Sequence, residues 1–194
     1  MKRTSLLIAV VISFAALALG VTQGFKNIHE YLVGFEEVPS VSTSGRGEFR
    51  ARINKAETAI TYSLTYSDLE GAVQQSHIHL GQPGVNGGIS VFLCTNLGNG
   101  PAGTQPCPAP PATITGTITA ADVSPNIAST AAARTQGLDT GEFGEFLRAV
   151  RAGATYVNVH STKWPGGEVR KQIGEGHEDD IREREHEESH HGKH

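Results

Sequence analysis

The feature that most constrains the fold is an apolar alternation with a period of two, repeated along much of the chain. In the run Ile60 to Tyr66, the residues Ile60, Tyr62, Leu64 and Tyr66 fall on one side and Thr61, Ser63 and Thr65 on the other. Upstream, Phe49, Ala51 and Ile53 alternate with Glu48, Arg50 and Arg52. Successive side chains of a strand point to opposite faces, so this pattern predicts half-buried strands. Further β-rich runs lie at Val73 to Leu80, Ile89 to Leu93, Ala112 to Thr119, Ala154 to His160 and Glu168 to Ile173, most of them bounded by Gly, Pro or Asn. About eight short strands with turns between them predict a mainly all-β domain, an antiparallel β-sandwich or Greek-key barrel. One helix interrupts the pattern. Phe143, Phe146, Leu147 and Val150 recur at helical spacing, with Thr140 as the expected cap and Gly153 as the stop. Ala121 to Val123 is a candidate short turn.

The two ends read differently. Leu6 to Leu19 is a 14-residue apolar run broken only by Ser13, preceded by Lys2 and Arg3 and followed by Gly20. That is the pattern of a secretory signal peptide over residues 1–20. The run is short of the roughly 20 residues of a membrane span, and an uncleaved anchor is the weaker alternative. Residues 21–173 carry 11 Lys/Arg and 12 Asp/Glu, whereas 174–194 carry three basic and eight acidic residues. The acidity belongs to the tail. No basic patch stands out, which argues against nucleic acid as a partner. No strongly apolar segment follows residue 20, so no stable membrane span is expected after signal cleavage. The tail has no apolar face to bury and is expected to be disordered. It holds five of the nine histidines, His177, His186, His190, His191 and His194, among carboxylates that can bind divalent metal loosely.

Cys94 and Cys107 are the only cysteines. An even count in an exported chain predicts a disulfide, whose loop-closure contribution is about 3 kcal/mol. The spacing matches no common zinc or redox motif. The segment 94–111 holds five of the nine prolines and reads as a surface loop stapled by that bond.

The sharpest chemical signal is His77-Ile78-His79. Residues two apart on a strand share a face, so both imidazoles point one way. In Val157-Asn158-Val159-His160 the valines share one face, and Asn158 and His160 the other. If the Ile and Val faces make the core, all three histidines fall on the outer, solvent-side face. There they are candidate ligands of a mononuclear copper or zinc site, with coordination positions left for water or substrate. Asn158 and Arg170 are candidate groups around those ligands. The plainer readings are hydrogen-bonded surface histidines and a solvated Glu168/Arg170 pair. Gly84 to Gly88 and Trp164 to Glu168 read as turns, without a phosphate-loop signature. Glu142 and Glu145 read as a solvated helix face. No nucleophile elbow or activated cysteine is evident, so a non-catalytic role is favoured.

Four blocks carry a family likeness. They are His77-Ile78-His79-Leu80-Gly81-Gln82-Pro83-Gly84-Val85-Asn86-Gly87, Gly116 to Val123, Ala152 to Ser161, and Pro165 to Ile173. In this order they resemble the CHRD (chordin-type) domain, over about residues 29–173. Phe35-Glu36-Glu37-Val38-Pro39 fits that family's opening strand. The resemblance implies a secreted or extracytoplasmic β-rich module, at the cell surface or in the periplasm, with an extracellular protein or glycan as the conceivable partner. The cysteine-rich repeats that bind growth factors in animal chordin are absent from this chain, so that partner does not carry over. A weaker, fold-level likeness is to copper/zinc superoxide dismutase. It implies His77, His79 and His160 as copper ligands and Arg170 as an anion-steering charge. No histidine lies between His79 and His160, so the bridging imidazole and the zinc ligands have no counterpart. Three classes therefore compete: a non-catalytic metal-holding module, a copper-dependent redox enzyme, and a purely structural interaction module.

Overall fold

The computed structural model describes residues 26–174; the leader-like run and the His-rich tail lie outside them. Eight strands form one antiparallel sheet: β1 (Asn27–Val33), β2 (Arg46–Ile53), β3 (Ile60–Ser67), β4 (Val73–Leu80), β5 (Gly88–Thr95), β6 (Ala112–Ile118), β7 (Thr155–Ser161) and β8 (Val169–Ile173). Their order across the sheet is β5-β4-β7-β8-β1-β2-β3-β6. The sheet rolls into a nearly closed barrel. At the seam, the Tyr62 hydroxyl donates to Leu93 O on β5 at 3.2 Å, and Gln105 Nε2 stands 3.0 Å from Leu93 O and 3.1 Å from Thr115 O on β6. Tyr62 pairs with Gly116 across β3 and β6. A Cβ at Gly116 would lie 2.6 Å from the Tyr62 hydroxyl, so glycine is what lets that ring reach the seam.

The period-two pattern places the core correctly. Ile60, Tyr62, Leu64 and Tyr66 are buried, as are Phe49, Ala51 and Ile53, and they join Ile78, Val91, Leu93, Val157 and Val159 in one core. The Cys94–Cys107 disulfide is formed and staples the loop after β5. Three expectations need correction. The segment Phe35–Pro39 is not a strand: the opening strand is β1, and a 3₁₀ turn at Gly34–Glu36 follows it. A Cβ on Gly34 would meet Val41 O at 2.3 Å, so the chain folds back here too tightly to run on as a strand. There are also two α-helices, α1 (Ala131–Thr135) and α2 (Phe143–Arg151). Finally, Glu142 and not Thr140 precedes α2. The Thr140 hydroxyl donates to Ser124 O instead, and Gly141, at φ 84°, turns the chain before the helix begins. Phe143, Phe146, Leu147 and Val150 face the core as their spacing predicts, and Gly153, at φ 64°, ends the helix region. The expected turn near Ala121 is a 3₁₀ turn, Ala120–Asp122, with Asp122 Oδ2 accepting from Thr119 N at 2.8 Å.

Candidate metal centre

The register of three strands assembles the site. His77 of β4 pairs with Asn158 of β7, and Asn158 pairs with Arg170 of β8. His79 pairs with Tyr156, which pairs with Gln172. His160 lies two residues beyond Asn158. All these side chains therefore share the face opposite Ile78, Val157 and Val159. Towards β5 the ladder is interrupted between Ser76 and His77 and between Ile78 and His79, irregularities that re-aim side chains.

This is the outer face of the sheet, as expected, but it is not a solvent-side patch. His77 is 0% exposed, His79 7% and His160 6%. Segments from outside the three strands roof it: the chain after β1, the turn between β4 and β5, and the loop between β7 and β8. Strand periodicity reports a face and not what later packs on it. Glu168 and Arg170 are not a solvated pair either. Glu168 is buried, and its Oε1 accepts from Thr43 Oγ1 at 2.7 Å and Glu70 N at 2.6 Å. Arg170 is 2% exposed and donates to Val85 O at 2.9 Å and Asn86 Oδ1 at 3.1 Å. Its guanidinium lies 3.4 Å from the Tyr156 ring centroid, and Tyr156 stacks on His79 at 4.6 Å. A stacked, hydrogen-bonded guanidinium is held in place rather than offered to solvent.

One nitrogen from each of His77, His79 and His160 lies within 4.8 Å of the others, a spacing that could hold a metal ion. Backbone carbonyls set the tautomers. His79 Nδ1 is 2.9 Å from Gly87 O and His160 Nδ1 is 3.0 Å from Pro165 O. A carbonyl only accepts, so both Nδ1 atoms carry the proton and both Nε2 atoms are left with lone pairs. His160 Nε2 then faces His77 Nδ1 at 3.3 Å and Asn158 Oδ1 at 3.0 Å. His79 Nε2 and His77 Nε2 have no hydrogen-bond partner among the described residues. Acceptors face one another here until a proton, a turned amide or a cation comes between them. Carbonyl-oriented imidazoles of this kind are the usual outer support of metal ligands. Burial pushes all three imidazoles down, His79 to about 3, with the neighbouring histidines adding to the effect on His77 and His79. The rings are neutral at ordinary pH and free to donate a lone pair.

The two Gly-rich turns do more than reverse the chain. Gly87 N donates to the Tyr156 hydroxyl at 3.2 Å, while Gly87 O receives His79. A Cβ on Gly87 would lie 1.7 Å from Leu80 O, so only glycine brings this carbonyl to the ring. Sequence reasoning also missed Phe92, whose ring meets His77 edge-on at 4.4 Å, and Tyr156. It missed Glu37, buried beside Asn158 and Arg170 with its carboxyl raised to about 7, chiefly by desolvation. The tail histidines lie outside the described residues. Among those residues the one other histidine, His29, pairs with Glu48 at 2.6 Å.

The fold and the ordered sequence blocks together define a β-rich module of known type. A family model, the CHRD domain, matches residues 31–173, and the chain belongs to that family. No curated protein and no solved structure matches it.

Proposed function

We propose that this CHRD-domain protein acts outside the cytoplasm as a non-catalytic metal-holding module, with one copper or zinc ion on His77, His79 and His160. The observation that supports this reading most directly is the protonation pattern. Carbonyls of Gly87 and Pro165 hold the Nδ1–H of two rings, so their Nε2 lone pairs remain available beside His77. Neutral imidazoles suit both copper and zinc. Asn158 and the Arg170–Tyr156–His79 stack would hold the ligands in place. The disulfide is consistent with an oxidising compartment. No helix among the described residues is long and apolar enough to cross a membrane. A protein or glycan partner outside the cell fits the family but has no named surface.

The test is a titration of Cu(II) and Zn(II) into the full chain, a His77→Ala/His160→Ala variant, and a variant with the five tail histidines replaced by Ala. One tightly bound equivalent, kept in the tail variant and lost in the double variant, is the expected result. The opposite pattern assigns the metal to the tail and leaves the body an interaction module. Superoxide consumption by the copper-loaded chain, absent from the double variant, would replace the non-catalytic assignment with the redox one.

A further inference from the structure

Glu37 is buried beside the centre and is not one of its three nitrogen donors. It is 5% exposed, and its Oε1 has no hydrogen-bond partner among the described residues. It lines a cleft of ≈ 410 Å³ walled also by Pro39, Asn86, Trp164, Pro165 and Gly167. On its inner side it meets Asn158, whose amide oxygen is 3.0 Å from His160 Nε2. The carboxyl therefore stands between the cleft and the three imidazoles, one side chain from His160. The backbone is shaped to admit it. A Cβ on Gly167 would lie 2.3 Å from Glu37 Oε1 and 2.7 Å from Oε2, so the carboxyl rests in space that any other residue would fill. The cleft is anchored on this side, because Asn86 Nδ2 donates to Val38 O at 2.8 Å.

We infer that Glu37 is the capture ligand of the centre, the oxygen donor that takes a hydrated divalent cation from the cleft and passes it across Asn158 to the imidazoles. This rests on the metal-holding reading above. The chemistry fits the order of events: an oxygen donor meets an ion still carrying water, and the imidazoles hold it afterwards. On capture the carboxyl O–H breaks, its proton leaves to solvent, and the carboxylate oxygen binds the cation. On transfer that bond is exchanged for nitrogen–cation bonds, and no electrons change hands. The groups facing Glu37 are Arg170 from β8 and Asn158 and Tyr156 from β7. Burial outweighs the attraction of Arg170 and keeps the proton on Glu37 up to about 7.

Stopped-flow uptake of Zn(II) by the full chain tests the assignment, with Glu37→Gln and Glu37→Asp beside the wild type. Thermal unfolding shows which variants are folded. A carboxylate on an entry path concentrates cations, so Glu37→Gln is expected to slow uptake by about tenfold or more. The wild-type uptake rate is expected to rise from about pH 6 to 8, and Glu37→Gln should lose that rise. Equilibrium stoichiometry should stay at one ion, and Glu37→Asp should recover the pH profile. Equal uptake rates in a zinc-binding wild type and in Glu37→Gln would overturn this inference alone. So would a variant that loses equilibrium affinity without a change in uptake rate, which is what a merely structural Glu37 would give. A wild type that binds no zinc on His77, His79 and His160 would sink the metal reading itself.

Discussion

His77, His79 and Glu37 are buried titratable groups whose shifts act in opposite directions with pH. The imidazoles sit below the ordinary value of about 6.5. Unfolded rings therefore take up protons that the folded state refuses as pH falls. Their contribution is whole above about 6.5 and is lost progressively towards the folded value, which for His79 is about 3. The urea midpoint should fall on acidification from about pH 7 to 4, and a His77→Gln/His79→Gln variant should show a shallower fall. Glu37 has the opposite sign. Its folded value of about 7 lies above the ordinary 4.5, so its contribution is whole below 4.5 and lost as pH rises through 7. Glu37→Gln should therefore gain on the wild type between about pH 5 and 8, with a ceiling of about 3 kcal/mol at 1.36 kcal/mol per unit. Equilibrium unfolding at several pH values checks both signs. Period-two spacing was enough to put the three histidines on one face. Nothing in the sequence around Glu37 reveals its burial, because the groups packed beside it, Asn86, Asn158, Gly167 and Arg170 among them, come from segments far along the chain.

At the scale of elements, β2 and β3 were legible from their own alternation and the other strands as short β-rich runs between turn residues, β1 (Asn27–Val33) excepted. The roof was not, because it is built from turns whose role depends on what they meet. Gly84 to Gly88 reads as a chain reversal, yet its carbonyl at Gly87 sets the tautomer of His79. Helix α1 was unreadable for a similar reason. It is five residues long, and its docking depends on a missing side chain: a Cβ on Gly88 would lie 2.1 Å from Ala133 N. Gly88→Val should separate α1 from β5 and cost on the order of 1–3 kcal/mol, the usual range for overpacking. Gly116→Val should do the same at the seam, where the new side chain meets Tyr62. Denaturant midpoints give the size of both losses. Amide exchange should localise the first to residues 128–138 and the second to β3, β5 and β6.

For the whole molecule, closure of the barrel depends on the stapled loop. Gln105 lies inside the Cys94–Cys107 ring and bridges β5 to β6 at the one place where the strands do not pair through their backbones. Cys94→Ala/Cys107→Ala should lose about 3 kcal/mol from loop closure. Because the loop also carries the seam contact, protection of β5 and β6 amides should fall more than that of β2 or β8. Hydrogen exchange distinguishes this from uniform weakening. Binding one ion to the folded state alone should raise stability by about 2.7 kcal/mol at roughly a hundred times the dissociation constant. The rise in melting temperature with zinc should disappear in His77→Ala/His160→Ala.

The amino-acid order alone determined the all-β class, seven of the eight strands, the core face of β2, β3, β4 and β7, and the disulfide partners, because alternation and a single cysteine pair are local or countable properties. It also brought His77, His79, Asn158 and His160 to one face. Only the tertiary structure decided that β4 lies against β7, that the face is roofed, and that Glu37 lines the cleft beside Asn158 and Arg170. Strand order and coverage depend on contacts between segments far apart in the chain, and the protonation of the three imidazoles and of Glu37 depends on that coverage.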